Sequence, residues 1–147
     1  MNHTAKDYFS EEDINRILGA IKLAEHETSG EIRVHVEKHC PVKDVLDRTA
    51  QLFGELNMHK TSQRNGVLIY IAFEHRKFAI IGDAGINKVV EKDFWDSIRD
   101  KMSESFKQSQ FTSGLISGIE MVGEKLKKYF PYQKDDKNEL PDEISTD

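Results

Sequence analysis

The chain has little cysteine, proline or tryptophan, and it has no long hydrophobic run. Its one cysteine, Cys40, excludes an internal disulfide and fits a reducing compartment. No stretch approaches the roughly 20 apolar residues that a membrane span requires. The segment from Met1 to Ser10 lacks the apolar run of a secretory signal. These absences predict a cytoplasmic protein without a membrane span.

Basic residues are too few and too scattered for a nucleic-acid-binding face. The 21 lysines and arginines are interspersed among 26 acidic residues, which gives a formal net charge of −5. Nucleic-acid binding calls for a dense basic face, so we expect no nucleic-acid partner. Mild acidity is compatible with cation binding, and it is also the ordinary surface charge of many globular proteins.

The hydrophobic pattern of the 147 residues predicts one α/β domain. Helical periodicity begins after Ser10, and it returns in three later segments. Strict alternation predicts a half-exposed strand over Glu31–Lys38. An almost wholly apolar run, Gly66–Phe73, is typical of a central strand. The predicted helices cover residues 11–27, 45–56, 94–106 and 115–129, with one helical turn over 86–90, and a further strand covers 78–81.

The order of these elements predicts a small mixed sheet with helices on both faces. A helix between the first two strands implies a right-handed parallel crossover. The short polar link after Phe73 favours an antiparallel hairpin with the third strand. We expect the domain to occupy residues 9–130. Residues 131–147, with six acids against two lysines, form an acidic tail that is predicted to be extended.

Several motifs recur in an order that points to a known family. They are Ala24-Glu25 with Thr28-Ser29-Gly30-Glu31-Ile32-Arg33-Val34; Met58, Thr61 and Arg64-Asn65-Gly66-Val67-Leu68; Ile81-Gly82-Asp83 with Gly85-Ile86 and Phe94-Trp95; and Phe130-Pro131 with Asn138-Glu139-Leu140-Pro141-Asp142. Together, from about Phe9 to Ile144, they resemble the TPM domain family.

The resemblance implies a three-layer α/β/α sandwich. The family includes a thylakoid-lumen acid phosphatase, and its members are associated with divalent cations, often calcium. Bacterial relatives often occur beside LemA-like proteins. The resemblance therefore implies a calcium or magnesium cofactor, a phosphate-containing small-molecule ligand, and a LemA-like or second TPM protein as partner.

The predicted topology brings three of the motifs to one edge of the sheet. Parallel pairing places Glu31 level with Asn65-Gly66, and the hairpin returns Gly82-Asp83 to the same end. Loops at strand termini are where ligands are commonly held. Carboxylates from separate loops bind Ca²⁺ or Mg²⁺, so Asp83 and Glu31 are the first candidate metal ligands, with Asp93 as a weaker one.

The same edge supplies candidate phosphate ligands. Arg64 can pair bidentately with phosphate oxygens, and a metal ion would polarise a phosphoryl group and activate water. Asp83, Glu31 and Arg64 are thus the predicted catalytic residues. The predicted phosphate-binding residues are Arg64, Thr61, Ser29, Gly30 and Asn65.

Simpler interpretations of these residues stay open. Asp83 between glycines can serve only to hold a turn, and Arg64 can pair structurally with Glu31. The alternating His35, Glu37 and His39, next to Cys40, resemble a zinc cluster, but a solvated strand face is the commoner arrangement. The chain shows no evident nucleophile and no well-placed histidine base.

Two functions follow as hypotheses. The first is a divalent-metal-dependent phosphohydrolase that acts on nucleotides or phosphate esters. The second is a non-catalytic module that binds calcium or a partner through the same pocket.

Overall fold

A computed structural model describes residues 7–132 and 144–146 of the chain. Within these residues lie five helices and four strands. None of the described helices combines the length and the apolar character needed to cross a membrane. In chain order the elements are α1 (Glu11–His26), β1 (Glu31–Glu37), α2 (Val45–Glu55), β2 (Gly66–Ala72), β3 (Lys77–Gly82), α3 (Ala84–Asn87), α4 (Phe94–Lys107), α5 (Phe111–Tyr129) and β4 (Ile144–Thr146).

The first two long helices begin at side chains that cap them. The Ser10 hydroxyl accepts the Asp13 backbone N–H at 3.1 Å, and three acidic residues occupy the first turn of α1. The Asp44 carboxylate accepts the Leu46 N–H at 2.9 Å at the start of α2. Each cap satisfies a backbone donor that has no partner within the helix. The acidic side chains in the first turn of α1 and at the start of α2 also interact favourably with the positive end of the helix dipole.

The four strands form one mixed sheet in the order β3-β2-β1-β4. β1 and β2 are parallel, with Glu31 opposite Gly66 and Glu37 opposite Ala72. β2 and β3 form the predicted antiparallel hairpin, with Val67 opposite Gly82. Both pairings confirm the topology inferred from the helix and the short turn that separate these strands.

Helices cover both faces of the sheet, as the sequence predicted. One core joins the apolar face of β1 (Ile32, Val34 and Val36) to residues of α1, α4 and α5. A smaller core on the other face joins Leu52 of α2 to Leu68 and Tyr70 of β2. The architecture is therefore a three-layer α/β/α sandwich.

The prediction that β1 is half exposed is wrong, because all seven of its residues are buried. Alternation correctly identified the polar face, but α2 covers that face with complementary chemistry. The Arg48 guanidinium holds Glu37 through two hydrogen bonds of 2.8 and 2.7 Å. The Tyr70 hydroxyl donates a third, of 2.8 Å, to the same carboxylate. A paired and hydrogen-bonded charge can be buried where an unpaired one cannot.

The sheet is one strand larger than the sequence predicted. Residues 144–146, in the segment predicted as an acidic tail, pair in parallel with Val34–Val36 of β1. The Ser145 hydroxyl lies 2.8 Å from His35 Nδ1. The remaining tail residues that were considered for a cation or partner, Asp135, Asp136 and 139–143, lie outside the described residues.

Candidate functional site

Three chain segments meet at the edge where β1 and β2 begin and β3 ends. The Glu31 N–H donates to the Asn65 carbonyl at 3.4 Å, and the Asp83 N–H donates to the Gly66 carbonyl at 2.9 Å. The Gly85 N–H reaches the Arg64 carbonyl at 2.8 Å. These bonds tie the loops before β1, before β2 and after β3 together, as the predicted topology requires.

Asp83 and Arg64 form a bidentate ion pair at this edge. Arg64 Nε lies 2.7 Å from Asp83 Oδ2, and Arg64 Nη2 lies 2.9 Å from Oδ1. The Ala84 N–H also donates to Oδ1, at 2.7 Å, so Asp83 caps the short α3 as well. Of the open alternatives, the turn-holding role of Asp83 is thus observed. The structural partner of Arg64 is Asp83 in place of the expected Glu31.

The ion pair controls the protonation of its carboxylate. Burial disfavours the charged form of Asp83, but hydrogen bonds from Arg64 and Ala84 outweigh it and lower the Asp83 pKa. The same contact raises the pKa of Arg64. Asp83 is almost fully buried, whereas about half of the Arg64 side chain, 53%, is exposed. The guanidinium therefore has room to leave the carboxylate for another anion.

The Arg64 backbone is held in an unusual conformation. Its φ of 53° lies in the left-handed region, which non-glycine residues rarely adopt. A side chain at Gly85 would place its Cβ 2.1 Å from the Gln63 carbonyl and 2.6 Å from the Arg64 carbonyl. The two loops thus pack backbone against backbone, which fixes the strained residue.

A buried polar cluster lies beside the ion pair. The Ser29 hydroxyl accepts from Gln63 Nε2 at 2.9 Å and from Asn65 Nδ2 at 3.2 Å. The Thr61 hydroxyl accepts the Asn65 backbone N–H at 3.1 Å. Asn65 is 1% exposed, yet its Oδ1 has no hydrogen-bond partner within the described part of the chain. A buried oxygen acceptor without a partner is uncommon, and it is costly unless a ligand or water supplies one.

Gly30 and Glu31 are both buried near this cluster. The Gly30 N–H donates to the Thr28 hydroxyl at 3.0 Å, so this amide already has a partner. A Cβ at Gly30 would lie 2.8 Å from Leu126, which explains the absence of a side chain there. Glu31 is 3% exposed at the first position of β1.

Asp93 is the weaker of the three predicted metal ligands. It is exposed immediately before α4, where its charge acts on Lys125 of α5. Residues 7–132 and 144–146 contain no group of three or more His, Cys, Asp or Glu side chains that could hold a metal ion.

Sequence reasoning missed two side chains of this edge. His59 is exposed on the loop after α2, and its charge helps to lower the Asp83 pKa after the larger effects of burial, Arg64 and Ala84. Gln63 binds Ser29 directly. His59 follows the motif residue Met58, but no spacing in the sequence connects it to Asp83, which comes 24 positions later.

The residues that resemble a zinc cluster do not come together as one group, although His35 Nε2 lies 3.9 Å from Glu37 Oε2. His35 is buried against Ser145 and stacks on Tyr70, while His39 is exposed and its Nδ1 lies 3.2 Å from His75 Nε2. The Cys40 thiol donates to the Val42 carbonyl. The alternative interpretation, a solvated strand face, is wrong for His35 and Glu37, because both are buried. It is correct only for His39, which is exposed.

Comparisons with known proteins agree with this fold. One similar solved structure is the NMR structure of BA42 from the psychrophilic bacterium Bizionia argentinensis. The two sequences are 48% identical over 97% of this chain and 98% of BA42, and the structures superpose with a TM-score of 0.89. Two N-terminal domains share the fold alone. The domain of the cg2496 protein from Corynebacterium glutamicum is 19% identical over 83% of this chain and 76% of its own, with a TM-score of 0.63. The domain of a P. gingivalis protein is 18% identical over 83% of this chain and 78% of its own, with a TM-score of 0.68. No curated protein matched. The TPM domain model matches residues 3–125. This chain therefore belongs to the TPM domain family.

Proposed function

We propose that this protein binds Ca²⁺ or Mg²⁺ at the edge formed by Glu31, Asn65 and Asp83, and that it hydrolyses a nucleotide or phosphate ester there. The observation that carries the proposal is the Asn65 side-chain oxygen, which is buried beside the Arg64–Asp83 pair without a partner among the described residues. Hard divalent cations take carboxylate and amide oxygens as ligands. The carboxylate and amide oxygens of this edge are of the type that such an ion takes.

The roles of the protein side chains follow from their contacts. Asp83 and Glu31 would supply anionic oxygens to the cation, and Asn65 would supply its amide oxygen. A bound divalent cation polarises a phosphoryl oxygen and lowers the pKa of a water molecule that it holds. Arg64 is half exposed and bidentate, which suits it to exchange Asp83 for two phosphate oxygens.

His59 supplies a group that the sequence analysis did not find. Histidine is the side chain that most readily exchanges protons near neutral pH. It is exposed, and its charge acts on Asp83, which supports a role within electrostatic range of the proposed ligand site. We propose that His59 accepts or returns the proton that hydrolysis of a phosphate ester requires.

A specific observation favours a second candidate, a binding module without turnover. In the structure Arg64 already neutralises Asp83, and the described residues offer no cluster of three acidic, His or Cys side chains. Such an edge can exchange one ionic partner for another without any reaction. If the module holds a cation, it differs from the enzyme only in turnover; if it holds a partner, it needs no cation.

The first experiment is a thermal melt with CaCl₂, MgCl₂ or EDTA. A cation at a hundred times its dissociation constant stabilises by about 2.7 kcal/mol, which raises the melting temperature by roughly 5 to 10 °C. Asp83→Asn should lose this shift, because it removes the negative charge that would bind the cation. The variant should still fold, because asparagine can also cap α3. Absence of any cation-dependent shift in the wild type would refute the metal site.

Arg64→Gln separates the two ligands. The variant removes the guanidinium that competes for Asp83, so the cation-dependent shift should persist or grow, while binding of ATP or p-nitrophenyl phosphate should be lost. Arg99→Gln is the matched control, since Arg99 is a comparably exposed arginine paired with Asp96 on α4. Metal-dependent phosphate release that disappears in Arg64→Gln and persists in Arg99→Gln supports the enzyme. Cation binding without release supports the module.

The cytoplasmic location and the LemA-like or second TPM partner stay proposals drawn from the sequence. Fractionation of the producing cells would test the location, and identification of the proteins that copurify with the tagged protein would test the partner.

A further inference from the structure

A concave site lies at the end of the strands opposite the Asp83 edge, where β2 ends and β3 begins. It is a cavity of about 330 Å³. That volume is at the lower end of the range for small-molecule sites. Residues from the β2–β3 turn, from the end of α4 and from the start of α5 line it. We name it the aromatic pocket after Phe73, Phe78, Phe106 and Phe111 in its wall.

The four phenylalanines form a continuous chain of ring contacts. Phe78 meets Phe106 edge to face with centroids 4.9 Å apart, and Phe106 lies 5.3 Å from Phe111. Phe111 in turn lies 5.2 Å from Phe73. All four rings are partly buried, so they hold one another in place and still present apolar surface to the cavity. Aromatic rings of this kind favour another flat ring at stacking or edge distance.

The rim of the aromatic pocket is positively charged. Arg76, Lys77 and Lys107 line it, and no acidic residue does. None of the three forms an ion pair with another residue in ranges 7–132 and 144–146. The whole chain carries a net charge of −5, so this concentration of unpaired cations runs against the overall sign. Their summed field attracts anions to the mouth of the cavity.

We propose that the aromatic pocket binds a small organic anion with a flat aromatic body and one carboxylate. The ring would lie among the phenylalanines, and the carboxylate would meet the rim, where an arginine can receive it bidentately. This ligand class differs from that of the Asp83 edge, because the aromatic pocket offers no acidic side chain to a cation. The inference is independent of the proposed phosphate chemistry.

The test uses 2-naphthoate as probe and observes the backbone amides of the full-length protein by NMR. Saturable shifts should appear at Phe78, Ser109 and Phe111, with a dissociation constant below about 1 mM, the weak end of specific affinity. The neutral 2-naphthamide should bind at least about tenfold more weakly, because only the anion uses the rim. Equal binding of the two compounds, or no saturable shift in the pocket, would overturn the proposal.

Charge variants separate the rim from general electrostatics. The triple variant Arg76→Gln/Lys77→Gln/Lys107→Gln alters only exposed side chains, so it should fold and should bind naphthoate at least about tenfold more weakly. The matched control Lys22→Gln/Lys88→Gln/Lys101→Gln removes three cations that are also exposed but lie outside the pocket lining, and it should bind like the wild type. An equal loss in both triple variants, at constant ionic strength, would contradict a specific rim. Phe106→Leu should weaken naphthoate and naphthamide alike, because it removes a ring without removing charge.

Discussion

The buried Glu37–Arg48 pair makes a strong prediction about stability. Glu37→Gln removes the negative charge but keeps an oxygen that can accept from Tyr70. Arg48 then loses the 2.7 Å bond from Nη2 to Oε2, and its 2.8 Å bond from Nε becomes one to a neutral oxygen, so that only this oxygen and Gln51 remain as acceptors. The guanidinium is 15% exposed and the carboxylate 5%, so water cannot fully replace the lost partner.

The expected loss is about 3 kcal/mol. Removal of one member of a fully buried ion pair costs roughly 3 to 5 kcal/mol, and the partial exposure of Arg48 puts this pair at the lower limit. For a chain of this size each kcal/mol lowers the melting temperature by roughly 2 to 4 °C. Glu37→Gln should therefore melt roughly 6 to 12 °C below the wild type.

The assay is urea unfolding of a double-mutant cycle. The variant Glu37→Gln/Arg48→Met removes both charges, so it should recover about 2 kcal/mol relative to the sum of the single variants. Glu91→Gln is the control, because it breaks an equally short but more exposed pair with Lys125 and should cost far less stability than Glu37→Gln. If Glu37→Gln costs no more than Glu91→Gln, or if the two single losses simply add, the argument for an uncompensated buried charge is refuted.

Further predictions concern pH and the glycines. Burial raises the Glu37 pKa, but the bonds from Arg48 and Tyr70 outweigh it, so the pKa is lowered on folding. The stability that this lowered pKa contributes is complete above the unfolded-state pKa of about 4.3, and it is lost as the pH falls through the pKa of the folded state. The melting temperature should therefore fall less steeply below pH ~5 in Glu37→Gln than in the wild type; parallel curves would contradict this. Gly85→Ala should cost roughly 1 to 3 kcal/mol in the same melt, because its Cβ would meet backbone that cannot move aside. Gly54→Ala, within α2 and with open space around it, should stabilise by up to about 1 kcal/mol; a loss there would show an unseen constraint.

The topology could be predicted because local patterns determine it. The periodicity of α1 and α5 and the apolar run of β2 each fit one element, and the two connection lengths decide parallel or antiparallel pairing. The meeting of Glu31, Gly66 and Gly82 at one edge follows directly from that pairing. The residues at the strand ends can thus be assigned to one edge of the sheet from the strand pairing alone.

Side-chain partners could not be predicted in the same way. Alternation in β1 identifies the polar face, but it does not reveal that Arg48 on α2 covers that face and neutralises Glu37. In the same way, the sequence offers two acids for Arg64, and only the loop geometry selects Asp83. His59 depends on where the chain goes after α2, which no periodic pattern encodes.

The pairing of β4 with β1 has a consequence for the order of assembly. His35 and Ser145 are 110 positions apart, whereas the β2–β3 hairpin closes within one turn. Contacts between distant segments pay more loop-closure entropy and form late. Until residues 144–146 arrive, the outer side of β1 presents unpaired backbone groups that a strand from another molecule can occupy. During synthesis on the ribosome, this edge is therefore where we expect chaperones or strand exchange between neighbouring copies to act.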